Sequence, residues 1–173
     1  MFLALIGTLC ICIFQEQIPV LQLAGKFSVA IHELCHALVC ILTGGEVFQV
    51  IVHSSISGQT IKSGGNTALV LMSGYLGASL IGALTIFAFS KTKRVQIAGY
   101  LLGFILLVNS LTLLIIILLK SGPEITSDAQ AFSEGVAPWL SAQQVAGFWI
   151  FVVVAMTFVA IYYSLKGKNR AES

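Results

Sequence analysis

The sequence predicts an all-α integral membrane protein of about five transmembrane helices, with a small β-hairpin inserted after one of them. Three observations carry this. Of 173 residues, 57% are hydrophobic and only 9% charged, against about 25% charged in soluble domains. Several apolar stretches reach roughly 20 residues, the length that crosses a bilayer as a helix. A run rich in β-branched residues, followed by turn formers, breaks that pattern directly after the second stretch. The chain is expected to form one domain over 1–173. Its net charge of +2 matters through where the basic residues fall relative to the spans, and nothing in it resembles a nucleic-acid-binding signature.

Taken in order, Met1 to Phe14 is apolar but short. It lacks a positive leader and a small-residue cleavage pattern, so it is expected to be a short or partial first span rather than a signal peptide. Leu23 to Thr43 follows as a full span, entered near Lys26 and ended by Gly44-Gly45, which tolerate the left-handed backbone of a helix terminus. Glu46 to His53 and Gly58 to Lys62, separated by Ser54 to Ser57, read as two strands of a hairpin. A hairpin edge cannot face lipid, so this one must lie at the surface or line a polar cavity beside the helices. There an unpaired strand could bind an extended peptide.

Ala68 to Phe89 and Ile97 to Leu119 are the next two expected spans. The first carries Ser73, Gly74, Gly77, Ala78, Ser79 and Gly82, small residues that let helix backbones approach closely, and they are expected to face the Leu23 to Thr43 helix. Asn109 is the one amide in the second. Between these spans lie Lys91, Lys93 and Arg94. Lys120 to Ala146 is the longest polar stretch; Gly122-Pro123 breaks the preceding helix. Ser127 with Gln130 makes a capping box that starts a short helix at Asp128, and Ser141 with Gln144 repeats the pattern before a last span, about Val145 to Leu165. Trp139 is placed as an interfacial anchor, and Tyr162, Tyr163, Lys166, Lys168 and Arg170 close the chain at a membrane surface. The two basic clusters are expected on the cytoplasmic side, with the hairpin and the Lys120 to Ala146 segment on the other.

The chemistry concentrates in His32-Glu33-Leu34-Cys35-His36, inside the otherwise apolar second stretch. An ionisable residue at mid-membrane costs about 2.5 to 3.5 kcal/mol on insertion scales and usually pairs, binds something or lines a wet cavity. Positions four apart project from one helix face about 5 to 6 Å apart at Cβ, so His32 and His36 can ligate one ion with Glu33 beside them. This is the H-E-x-x-H arrangement of zinc metallopeptidases. A hydrolytic zinc uses three protein ligands and keeps a position for water. Outside this pentapeptide the candidate third ligands are Glu16, Glu46, His53, Glu124, Asp128, Glu134 and Glu172. Asp128, the only aspartate in the chain, stands at a capped helix start, which favours it; His53 and Glu124 remain the main alternatives. Cys35 is read as packing, and Cys10, Cys12, Cys35 and Cys40 imply no disulfide framework.

His32 to Leu38, Thr43-Gly44-Gly45, Ser57-Gly58-Gln59-Thr60, Gly74 to Ala78 and Ser127-Asp128-Ala129 together resemble the site-2 protease family of intramembrane zinc metallopeptidases, in its compact uncharacterised branch. Two departures stand out: Cys35 replaces a usual glycine, and the Asn-Pro-Asp-Gly or Leu-Asp-Gly string of better known members is missing. The resemblance implies Zn2+ held by His32, His36 and Asp128, with Glu33 as the catalytic base. It implies a membrane-embedded protein as substrate, cleaved at or within the lipid bilayer. The alternative is a proteolytically inactive zinc-binding scaffold of the same fold.

Overall fold

The computed structural model describes Phe14, residues 17–90, 96–119 and 127–171. The expected first span at 1–14 falls outside them except for Phe14. So do the basic residues at 91–94, the Gly122-Pro123 break, and the candidate ligands Glu16, Glu124 and Glu172.

The described residues form α1 (Pro19–Leu42), β1 (Glu46–Val52), β2 (Gly58–Ser63), α2 (Thr67–Phe89), α3 (Gln96–Leu119), α4 (Asp128–Gly135) and α5 (Ala142–Ala171). Each boundary has a local cause. Pro19 starts α1, where a missing N–H costs nothing. Thr43 ends it by turning its hydroxyl back to the Val39 carbonyl, and Gly44 follows at φ +84°. Asn66 caps α2 by accepting from Leu69 N, and Ser127 caps α4 by accepting from Gln130 N. The expected capping box at α5 is complete in both directions: Ser141 Oγ accepts from Gln144 N, and Gln144 Oε1 accepts from Ser141 N.

Among the described residues, three helical stretches are long and apolar enough to cross a membrane, Gln22–Leu42, Thr67–Phe89 and Ala142–Ser164; α3 adds a shorter apolar stretch over Gln96–Thr112. The core lies among α2, α3, α4 and α5, where Tyr75, Ile86, Phe104, Leu107, Leu114, Ala129, Trp149 and Val153 are buried together. Helix α1 packs on α2 and carries the hairpin on its flank.

The small residues of α2 do not all face α1. A Cβ at Gly77 would stand 2.8 Å from Cys35 Sγ, which places that position against α1, whereas one at Gly82 would stand 2.7 Å from the Gly103 carbonyl of α3. At about 100° per residue, Gly82 lies about 140° around the helix from Gly77. One stripe of small residues therefore serves two contacts, because α2 is central and meets a different neighbour on each side.

The hairpin is antiparallel, with Glu46 opposite Ser63 and Val52 opposite Gly58, and an irregularity between Val47 and Gln49. It does not stay at the helix end where it begins. Its Glu46/Ser63 end lies beside Cys40, whose thiol meets the Glu46 and Gly64 carbonyls, and β2 runs back along α1 until Thr60 and Gly58 reach Glu33. One face of β2, carrying Gly58 and Thr60, thus lies against α1 at the depth of the pentapeptide, while Gln59, Ile61 and Ser63 are exposed.

Candidate metal centre

His32 and His36 project from one face of α1 toward α2 and α4, as their spacing requires. His36 is buried and its Nδ1 donates to the Val70 carbonyl of α2 at 2.6 Å. That bond fixes the ring and leaves Nε2 of the neutral imidazole with its lone pair directed away from Val70. Ser73 Oγ donates to the same carbonyl at 2.6 Å, so Val70 O holds two donors and is itself held in place. The His32 ring packs edge-on against Tyr75, centroids 4.5 Å apart, and Tyr75 rests on Trp149 of α5.

Asp128 arrives from the first turn of α4. Its Oδ2 lies 2.9 Å from His32 Nε2 and 3.1 Å from His36 Nε2, and the two nitrogens are 3.1 Å apart. Ligands about 2.0 to 2.1 Å from a tetrahedral zinc are spaced about 3.3 Å from one another, so this triangle is close to what such an ion needs. The donors also fit: with Nδ1 of His36 engaged by Val70, the Nε2 lone pair and the carboxylate lone pairs face each other, two acceptors that only a proton or a cation reconciles.

Gly74 leaves room for this convergence. A Cβ there would stand 2.5 Å from His32 Nε2 and 2.5 Å from His36 Nε2, so any side chain at that position would enter the space between the rings. Among the described residues, His32, His36 and Asp128 are the one group of three able to share a metal ion. The other described candidates stand apart: His53, Glu46 and Glu134 are exposed, and Glu134 accepts from Gln130 on α4.

Glu33 is buried on the hairpin side of α1. Its Oε2 accepts from Thr60 Oγ1 at 2.7 Å, and the same hydroxyl is 3.1 Å from the Glu33 carbonyl oxygen. Cys35 is buried beside Gly77, as packing. The sequence reading missed Thr60 as a neighbour of Glu33 and the carbonyl of Val70. A backbone acceptor leaves no trace in side-chain identity, and Thr60 stood out in sequence only as part of a strand and of the Ser57 to Thr60 family motif, neither of which points to Glu33.

A family model of Peptidase M50B-like proteins matches residues 2–117. The chain belongs to that family. Membership agrees with the site-2 protease resemblance of the motifs and, with three helices suited to crossing a bilayer, makes this a membrane protein. The match takes in His32, Glu33, His36, Thr60 and Gly74, while Asp128 lies beyond it and is brought to them by the fold. No curated protein and no solved structure matches the chain.

Proposed function

We propose that this chain is a multi-pass, zinc-dependent intramembrane metallopeptidase that hydrolyses peptide bonds of membrane-embedded proteins. The observation that carries the reading is the convergence of His32 Nε2, His36 Nε2 and Asp128 Oδ2 to within 3.1 Å of one another on three separate turns of chain. Membership of the Peptidase M50B-like family supports it.

In this reading His32, His36 and Asp128 hold Zn2+, which when bound supplies Lewis acidity to activate water and polarise a peptide carbonyl. Val70 and Ser73 keep the His36 ring turned to the metal. Glu33 is the base: it accepts the proton of the attacking water and returns it to the departing amine. Tyr75 and Trp149 wall the His32 side with apolar surface, which limits competing water.

The test separates base from ligands. Glu33→Gln should lower turnover of a membrane-segment peptide by about 100- to 10,000-fold, the usual worth of a general base, with zinc retained. His32→Ala, His36→Ala and Asp128→Asn should each lose metal. An undiminished rate in Glu33→Gln would sink the peptidase reading and favour the zinc-binding scaffold instead.

A further inference from the structure

We infer that Thr60, with Gly58 beside it, is a positioning residue for Glu33, which makes the hairpin part of the hydrolytic machinery. The inference rests on the reading of Glu33 as the base. Strand β2 turns Gly58 and Thr60 to the same side, as alternate residues of a strand must, and that side meets α1 at Glu33. At Gly58 a Cβ would stand 2.6 Å from Glu33 Cγ, 2.7 Å from Oε1 and 2.7 Å from Val29 Cγ1. Only glycine lets the strand come this close without pushing the carboxylate aside.

Two residues on, Thr60 Oγ1 stands 2.7 Å from Oε2 and 3.1 Å from the backbone carbonyl of Glu33. A hydroxyl has one proton, and it goes to the shorter, charge-assisted contact with the carboxylate. One hydroxyl thus touches both ends of the same residue and fixes the side chain relative to its own backbone. Glutamate has three rotatable bonds, and ordering them beforehand spares the reaction that step. With Oε2 engaged, Oε1 is the oxygen left to take a proton from water. Once Oε1 carries that proton, Oε2 is the carbonyl oxygen of the acid and still accepts from the Thr60 hydroxyl, so the contact persists through both halves of the transfer. Packing alone does not call for a hydroxyl here. Valine has the same shape and suits a strand at least as well, but would leave Oε2 of a buried carboxylate without its donor.

The test uses the full chain, zinc-loaded and reconstituted in liposomes, with a peptide bearing one transmembrane segment. Thr60→Val should lower kcat by about 10- to 100-fold, the range for losing a supporting hydrogen bond at a metal site, with KM and zinc content unchanged. Thr60→Ser, which keeps the hydroxyl, should restore most of kcat. A wild-type kcat in Thr60→Val while Glu33→Gln is inert would overturn this inference and leave the peptidase reading intact. Equal loss in Thr60→Ser and Thr60→Val, or loss of zinc from Thr60→Val, would show a packing role and overturn it as well. A wild type no faster than Glu33→Gln would remove the peptidase reading itself, and the positioning role with it.

Discussion

Position 74 shows how finely the candidate centre depends on single atoms. Gly74 stands where a methyl group would press on both imidazole nitrogens at 2.5 Å, distances far inside van der Waals contact. The rings cannot simply retreat, because His36 is tied through Nδ1 to Val70 and His32 lies against Tyr75. Gly74→Ala is therefore expected to abolish zinc binding while leaving α2 helical, since alanine is the better helix former by about 1 kcal/mol. Metal analysis and circular dichroism on the purified variant check both halves. Retained zinc would mean that the rings have another arrangement open to them. Residue identity alone pointed to His32, Glu33 and His36, because ionisable groups in an apolar helix demand an explanation, and rarity pointed to Asp128. Gly74 was legible as a small residue and as part of a family motif, but not as a neighbour of the imidazoles, since that role comes from what faces it across a helix interface.

Helix α2 and the hairpin take positions that local sequence does not determine. Capping signals placed α4 and α5 to within a few residues, because Ser127 and Ser141 act on backbone groups three residues away and need no tertiary context, while α2 was legible from its apolar length. The path of the hairpin was not legible, since whether β2 lies at a surface or along α1 depends on side chains 27 positions apart in the chain, Glu33 and Thr60. Neither was the division of the small-residue stripe. Gly82 and Gly103 form a close crossing of α2 and α3: a Cβ on Gly82 would meet the Gly103 carbonyl at 2.7 Å, and one on Gly103 would meet the Gly82 carbonyl at 2.6 Å and Ile86 Cγ1 at 2.5 Å. Gly103→Val is expected to force these helices apart and destabilise the fold by about 1 to 3 kcal/mol, the usual cost of overpacking. A lowered thermal midpoint with zinc stoichiometry preserved at low temperature is the expected result, because α3 does not contribute to the His32, His36 and Asp128 cluster. Unchanged stability would mean that the α2/α3 crossing yields without cost.

At the scale of the whole molecule, the ends of the bundle sort by chemistry, and this bears on orientation. Tyr100 near the start of α3 hydrogen-bonds Ser164 late in α5 at 2.9 Å, and Gln96 donates to the Ser90 carbonyl at the end of α2 at 2.9 Å. The connection between α2 and α3 and the close of α5 therefore share one end of the bundle. In sequence these are the segments with Lys91, Lys93 and Arg94, and with Lys166, Lys168 and Arg170. The other end joins α1 to α2, where Asn66 N donates to Thr43 Oγ1 at 2.9 Å. Helix α4 starts at Asp128, level with His32 and His36 near the middle of α1, and Ser141 begins α5 shortly after it. By the positive-inside rule, the six basic residues that the sequence places in these two segments lead to the prediction that this end is cytoplasmic. The hairpin, α4 and the approach to the metal centre would then belong to the opposite half of the bilayer. Single cysteines introduced at Lys93 and Gly135, in a chain whose four native cysteines are replaced by serine, test this with a membrane-impermeant maleimide. Gly135 suits the purpose because it is exposed and a Cβ there meets nothing within 4 Å. Lys93→Cys should react only after the cytoplasmic face is opened to reagent, and Gly135→Cys from the other side without it. Reaction of both from one side would contradict the antiparallel path of α2 and α3 and the placement of α4.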